Sequence, residues 1–284
     1  MNLIILLSTS IMLVFQICDG FSVVPSSLRS SAFASSSLSL TKQYRKVTTS
    51  SSTTLSMAYK NVFVAGGSKG VGRLTIDKLL ATGAKVKALV RSPAVAGELN
   101  AIEGVTAIVG DAFEQKAVEN AMDGCDAAIT TLGGSTNDRR VDYEGNNNVI
   151  ESAGILGIQR VMLVTSVGCG NSKEAAPPSV FEVLKDVLAA KEKAENILIK
   201  YYTNTNWTII RPGGLVAEPM TGKACLTENN LVIGSIHRED VADLIVKALN
   251  SPNTERKIFS ALDPSIPSPA NPEGATFESF ELAM

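Results

Sequence analysis

The sequence predicts an α/β domain built on a doubly wound parallel sheet, and three observations carry that prediction. Short apolar runs alternate with segments of helical periodicity from residue 61 to residue 262. The first run, Val62-Phe63-Val64-Ala65, enters a turn with glycines at 66, 67, 70 and 72, and Leu74, Ile76, Leu79 and Leu80 then repeat on one helical face. Aromatic residues make up only 5% of the chain, so Ala, Val, Ile and Leu must fill the interior, as suits buried parallel strands covered by helices. At 284 residues the chain is long enough for one such domain with extensions.

Taken in order, a second strand is expected over 85–90, ending at Arg91-Ser92-Pro93, and a third over 105–109, followed by Gly110-Asp111-Ala112 and a helix over 113–122. A fourth strand spans 127–132 and breaks at Gly133-Gly134. A helix opens at Val141 and runs to Leu156, and a fifth strand over 160–165 ends at Ser166. A long helix over 179–201 precedes a sixth strand over 207–210, which ends at Arg211-Pro212-Gly213-Gly214. The stretch 215–233 carries no readable chemical signature. A last helix over 238–250 and a short strand over 257–262 close the domain, set at 58–262. The remainder, 263–284, is rich in Pro, Ser and Glu and reads as a loosely held tail.

The first 57 residues read as an address. Residues 3–17 are mainly apolar, too short to span a membrane comfortably but suited to the core of a signal peptide over 1–20. Residues 21–57 are rich in Ser and Thr, carry bases and lack acids, which is a transit-peptide composition. The first 57 residues together hold one acid, Asp19, and four bases, so the body beyond them is more acidic than the formal −2 of the whole chain. An acidic body argues against nucleic acid as a partner. No apolar run of the body is long enough to span a membrane. The four cysteines form no C-x-x-C pair and there is a single His, so the usual zinc spacings are excluded and no metal is expected.

The strand, glycine turn and helix make a site for a phosphate-bearing ligand, because a helix N-terminus offers free N–H groups and the positive end of its dipole. At the end of the second strand of such a fold, an acid would favour the 2′-hydroxyl of NAD and a base the 2′-phosphate of NADP. Arg91 stands there, with Lys69 and Arg73 in or beside the turn. Three cations converging on one phosphate would favour NADP(H); three ordinary surface bases are the alternative. Ser68, Gly66, Gly70, Val71 and Gly72 complete the expected cradle. Asp111 and Ala112 are placed at the adenine end, where Asp111 equally suits a helix cap. Thr131, Leu132 and Gly133 are expected beside the middle of the cofactor, and Pro212 at the end of the sixth strand.

Five stretches together resemble a known family: A-G-G-S-K-G-V-G-R (65–73), G-D-A (110–112), D-Y-E-G-N (142–146), K-E-K-A-E (191–195) with T-I-I-R-P-G-G (208–214), and H-R-E-D-V-A (237–242). They resemble an atypical short-chain dehydrogenase/reductase of the NmrA-like, plastid and cyanobacterial kind, with a Rossmann fold. The turn keeps the G-x-x-x-G-x-G spacing through Gly66, Gly70 and Gly72, and departs from the atypical G-x-x-G-x-x-G at Lys69. Likewise the signal and Ser/Thr-rich stretch resemble the bipartite presequences of diatoms and related algae, with Phe21 at the expected import position. That resemblance implies the plastid stroma.

The family implies a Tyr as acid/base, a Lys four residues on that holds the nicotinamide ribose, and a Ser that orients the substrate. Ser166 matches the Ser. The Lys has two registers: Lys191 puts Val187 at the Tyr position, and Lys185 puts Phe181 there. Neither supplies a phenol, and Tyr143 is the candidate substitute. His237 is expected to be packing or surface, and Cys169 either a small loop residue or part of a substrate mouth. An NADP(H)-dependent oxidoreductase acting on a small organic molecule fits these residues. So does a non-catalytic NADP(H)-binding redox sensor or scaffold, and isomerase or epimerase chemistry is a weaker third.

Overall fold

A computed structural model of the chain describes residues 59–134, 138–267 and 277–283. The signal and transit expectations for 1–57 lie outside the described residues. Strands β1 (Asn61–Ala65), β2 (Lys85–Val90), β3 (Val105–Val109), β4 (Ala127–Thr130), β5 (Arg160–Val164) and β6 (Asn206–Pro212) alternate with helices α1 (Gly70–Ala81), α2 (Pro93–Asn100), α3 (Gln115–Met122), α4 (Asn146–Ile155) and α5 (Pro178–Tyr201). Three short strands follow, β7 (Gly214–Val216), β8 (Cys225–Thr227) and β9 (Ser235–His237), and then α6 (Arg238–Leu249) and β10 (Lys257–Leu262).

The main sheet has the order β3-β2-β1-β4-β5-β6-β10-β8. The doubly wound sheet is therefore present, parallel from β3 to β10, with β8 added antiparallel at one edge. Alternation along each strand divides the core. Val62 and Val64 of β1 face a layer closed by α1, α2 and α6, whereas Phe63 and Ala65 face a layer closed by α3, α4 and α5. The winding reverses between β1 and β4, which pair from Val62↔Ala127 to Ala65↔Thr130. In a doubly wound sheet the ligand crevice lies outside the carboxyl ends of the strands at such a reversal.

Several expectations are corrected. Ser92-Pro93 starts α2 as well as ending β2: the Ser92 hydroxyl accepts the Val95 N–H at 3.4 Å, and Pro93 fills the first helical position. The fourth strand ends at Thr130, whose pairing with Ala65 is the last of the β1–β4 ladder; the N–H and hydroxyl of Thr131 both donate to the Ala65 carbonyl, at 3.0 and 3.1 Å. The helix expected from Val141 begins as a π-helical turn, Val141–Gly145, before α4. The stretch 215–233 contains most of β7 and all of β8. The tail is not loose at residues 277–283: Phe280 donates its N–H to the Leu226 carbonyl at 2.7 Å and stacks 4.6 Å from Phe259, while Ser251 bonds the Ala283 carbonyl at 2.7 Å.

One buried charge ties the late elements together. Arg160, only 1% exposed, donates to the Ala248 and Leu249 carbonyls at the end of α6 (2.7 and 3.2 Å), to the Asn206 carbonyl (2.9 Å), and to the hydroxyls of Thr208 and Thr254 (both 2.8 Å). A cation suits the negative end of a helix dipole, and five hydrogen bonds in a buried setting go with the guanidinium. Arg160→Ala is expected to cost about 3 kcal/mol in chemical denaturation, and to lower Tm by roughly 6–12 °C. A loss under about 0.5 kcal/mol would contradict this role.

Candidate cofactor and active site

The β1–α1 turn is shaped by a close crossing. Gly66 has φ of 88° and Gly70 of 59°, both in the left-handed region. A Cβ on Gly72 would sit 2.2 Å from the Gly66 carbonyl oxygen and 2.5 Å from the Thr131 hydroxyl. A Cβ on Gly70 would meet nothing within 4 Å, so the space in front of the helix is open. Lys69 at the N-cap offers no side-chain acceptor, and no acid stands in the first turn of α1. The first N–H groups of α1 are thus left for an anion.

Around this turn Ser68 and Lys69 are exposed, Val71 is half-buried, and Arg91 is exposed at the end of β2. Arg73 is turned aside, bonded to Asp77 one turn along its own helix, so its convergence with Arg91 is not seen. Asp111 acts as a local cap, its Oδ1 accepting the Phe113 N–H at 3.0 Å, and the carbonyl of the buried Ala112 accepts from Asn148 at 2.8 Å. A cation that the sequence reading missed lies here. Arg140 stacks 4.9 Å above the Phe113 ring and bonds Asp138. Hydrogen bonds from Arg140 hold the Asp138 carboxyl below the usual range, with the charge of Arg91 adding to the effect.

Deeper along the crevice, α5 presents one lysine. Lys191 Nζ lies 2.7 Å from Asp142 Oδ1 and donates to the Leu132 carbonyl at 3.3 Å, beside Gly133. Asp142 is fully buried and its Oδ2 accepts the Gly134 N–H at 3.0 Å, so it fixes both the lysine and the loop after β4. The sequence reading had D-Y-E-G-N only as a family stretch and did not single out Asp142. Lys185 is exposed and paired with Glu182. The lysine that reaches the crevice is therefore Lys191, and Val187 stands one turn before it on the same face. Tyr143 turns toward Lys193, whose Nζ lies 5.6 Å from its ring centroid; two residues from Lys191, Lys193 is on another face of α5.

The rotation of α5 is set by a buried network. Glu195, one turn beyond Lys191, accepts from Arg211 Nε (3.0 Å) and Nη2 (2.7 Å) and from the Thr165 hydroxyl (2.6 Å), and Arg211 also donates to Asn171 at 2.6 Å. This binds the ends of β5 and β6 to α5. Ser166 follows Thr165, half-buried, its hydroxyl donating to the Val167 carbonyl at 3.0 Å. The carbonyl of buried Pro212 accepts the Val167 N–H at 3.0 Å. Cys169 is fully buried rather than at a substrate mouth, and burial, with Glu195 adding to it, pushes its thiol up to about 12.

Residues 66–252 match the model of a family described as NAD(P)H-binding. The chain belongs to that family. It is 33% identical over 187 residues to YhfK of Bacillus subtilis, described as an uncharacterized sugar epimerase, covering 64% of this chain and 84% of that one. It is 28% identical over 220 residues to the chloroplastic protein TIC 62 of Pisum sativum, covering 68% of this chain but only 40% of that longer one. Among solved structures, ChuY from Escherichia coli O157:H7, described as an anaerobillin reductase, is 30% identical with a TM-score of 0.68, over 74% of this chain and 100% of that one. The open turn, the uncapped helix and the lysine beside Gly133 are a set that fits a nicotinamide dinucleotide.

If Lys191 holds that ligand, Lys191→Ala should weaken NADPH binding about tenfold or more in a fluorescence titration, a change of about 1.4 kcal/mol. Lys185→Ala should change it less than about twofold. Equal effects of the two substitutions would overturn the assignment of Lys191.

Proposed function

We propose that the chain is an NADP(H)-dependent oxidoreductase that reduces a small organic substrate in the plastid. The observation that carries this reading is the pairing of an open, uncapped α1 N-terminus with Lys191 held at the loop after β4. Bound NADPH would supply a hydride from its nicotinamide ring. The chain's own groups supply the rest. The α1 N–H groups neutralise the pyrophosphate, and exposed Lys69 and Arg91 favour a 2′-phosphate over a bare hydroxyl. Lys191, oriented by Asp142, donates hydrogen bonds to the ribose. Ser166 orients the substrate oxygen by turning its hydroxyl away from the Val167 carbonyl.

With Val187 at the Tyr position, the protein holds no phenol there to give the proton, which favours activated substrates that take it from water. The reductase description of ChuY supports reduction as the reaction type. The chloroplastic description of TIC 62 and the composition of residues 1–57 support the plastid.

The missing phenol also favours a second reading, an NADP(H)-binding redox sensor or scaffold without turnover. Titration should show NADPH preferred over NADH by at least about tenfold, with Arg91→Ala removing most of that preference. Equal binding of both cofactors by the unmodified protein would defeat the NADP assignment. With NADPH and a panel of quinones, enones and aldehydes, steady oxidation that Ser166→Ala abolishes supports the reductase. Tight NADPH binding with no turnover on any of them favours the sensor.

A further inference from the structure

A second cluster of polar side chains lies outside the residues of the cofactor crevice. His237 closes β9 and precedes α6, Asp240 stands in the first turn of α6, and Asp263 follows β10. All three are buried, at 8%, 2% and 1% exposure. His237 Nδ1 lies 3.4 Å from Asp240 Oδ2 and 4.0 Å from Asp263 Oδ2, and one donor atom from each residue falls within 4.8 Å of the other two. That nitrogen is sealed from solvent and makes no hydrogen bond.

The carboxylates, by contrast, are well held from behind. Asp240 accepts the N–H groups of Thr221 and Gly222, each at 3.0 Å. Asp263 accepts the N–H and hydroxyl of Ser265 at 2.8 and 2.6 Å, and the Thr221 hydroxyl. These donors orient the two acids. They are neutral donors, however, and the α6 dipole offsets only part of two buried charges. Among the described residues no Lys or Arg forms an ion pair with either acid.

We propose that His237, Asp240 and Asp263 form a binding site for one divalent transition-metal ion of the zinc class. An ion about 2.1 Å from each of two donors spaces them about 3.4 Å apart in a tetrahedron, which the His237–Asp240 pair meets at 3.4 Å, whereas the His237–Asp263 pair, at 4.0 Å, has to close in on the ion. One imidazole nitrogen with two carboxylates suits Zn²⁺ or Mn²⁺ better than the all-oxygen preference of Mg²⁺ or Ca²⁺. The orphaned nitrogen would gain a partner and the two acids a counter-charge. The hydrogen bonds from Thr221, Gly222 and Ser265 are the outer shell that such ligands need. The ion would clasp four segments: the end of β9, the start of α6, the end of β10, and residues 221–222 between β7 and β8. Cys/His spacing rules do not detect this donor set, because its third ligand stands far along the chain from H-x-x-D.

The test uses the tag-free full chain, stripped with chelator and dialysed. Calorimetric titration should show one Zn²⁺ per chain, and thermal unfolding should rise by several degrees with Zn²⁺ and not with Mg²⁺. His237→Ala and Asp263→Asn should each weaken Zn²⁺ binding by about tenfold or more. Where a variant fails to fold, X-ray absorption of the unmodified Zn²⁺-loaded chain decides: imidazole nitrogen and oxygen in the first shell supports the site, and sulfur or oxygen alone overturns it. No Zn²⁺ bound, undiminished binding by folded variants, or a His237 ring protonated on both nitrogens in the presence of Zn²⁺ would also overturn it.

Discussion

The passage of Gly72 against the Gly66 carbonyl and the Thr131 hydroxyl is the constraint on which the rest of the molecule depends. It brings the first turn of α1 down onto the backbone of Gly66, with no side chain at residue 72 to hold them apart, at the point where the winding of the sheet reverses. Any larger residue at 72 would lift the helix and close the gap that its N-terminus faces. With the helix seated, Val62 and Val64 meet one core layer, Phe63 and Ala65 the other, and the free N–H groups of α1 open into the crevice. Cofactor site and core packing are consequences of the same contact.

A second constraint governs the far end of that crevice. The Glu195–Arg211 pair is 3% exposed on each side, and such pairs are costly to desolvate. Here the pair, extended by Thr165 and Asn171, fixes how α5 is turned, and one turn earlier Lys191 is delivered to Asp142 and the loop after β4. The same rotation carries Val187 to the position where a phenol would stand. Lys191 is thus firmly placed, while neither Val187 nor Phe181 offers the phenol that the family resemblance implies.

Much of this was legible in the chain. Strand and helix alternation, the glycine turn and the reversal of the sheet follow from local periodicity and turn chemistry. The missed elements have local causes. Ser92-Pro93 is both a strand terminator and a helix starter, so α2 was hidden behind a stop signal. Strands β7 and β8 are three residues each, too short for alternation to register. Asp142 sits inside a helix-opening motif, and its burial against a lysine 49 positions later in the chain is a tertiary fact that no local pattern records. Arg140 meets Phe113, 27 positions earlier, in a tertiary contact that no local pattern records. The tail from Asp263 reads as polar, yet its Phe280 ring finds Phe259, which decides its docking.

The central claim is that the turn from Gly66 to Arg73 is where the phosphates of a dinucleotide bind. Isothermal titration of NADPH into the unmodified chain and into Ser68→Asp tests it most directly, since Ser68 is exposed and its replacement adds one negative charge beside the α1 N-terminus. The account predicts one NADPH per unmodified chain, and binding weakened by about a hundredfold or more in the variant at unchanged Tm. Undiminished NADPH binding by a folded Ser68→Asp protein would contradict it.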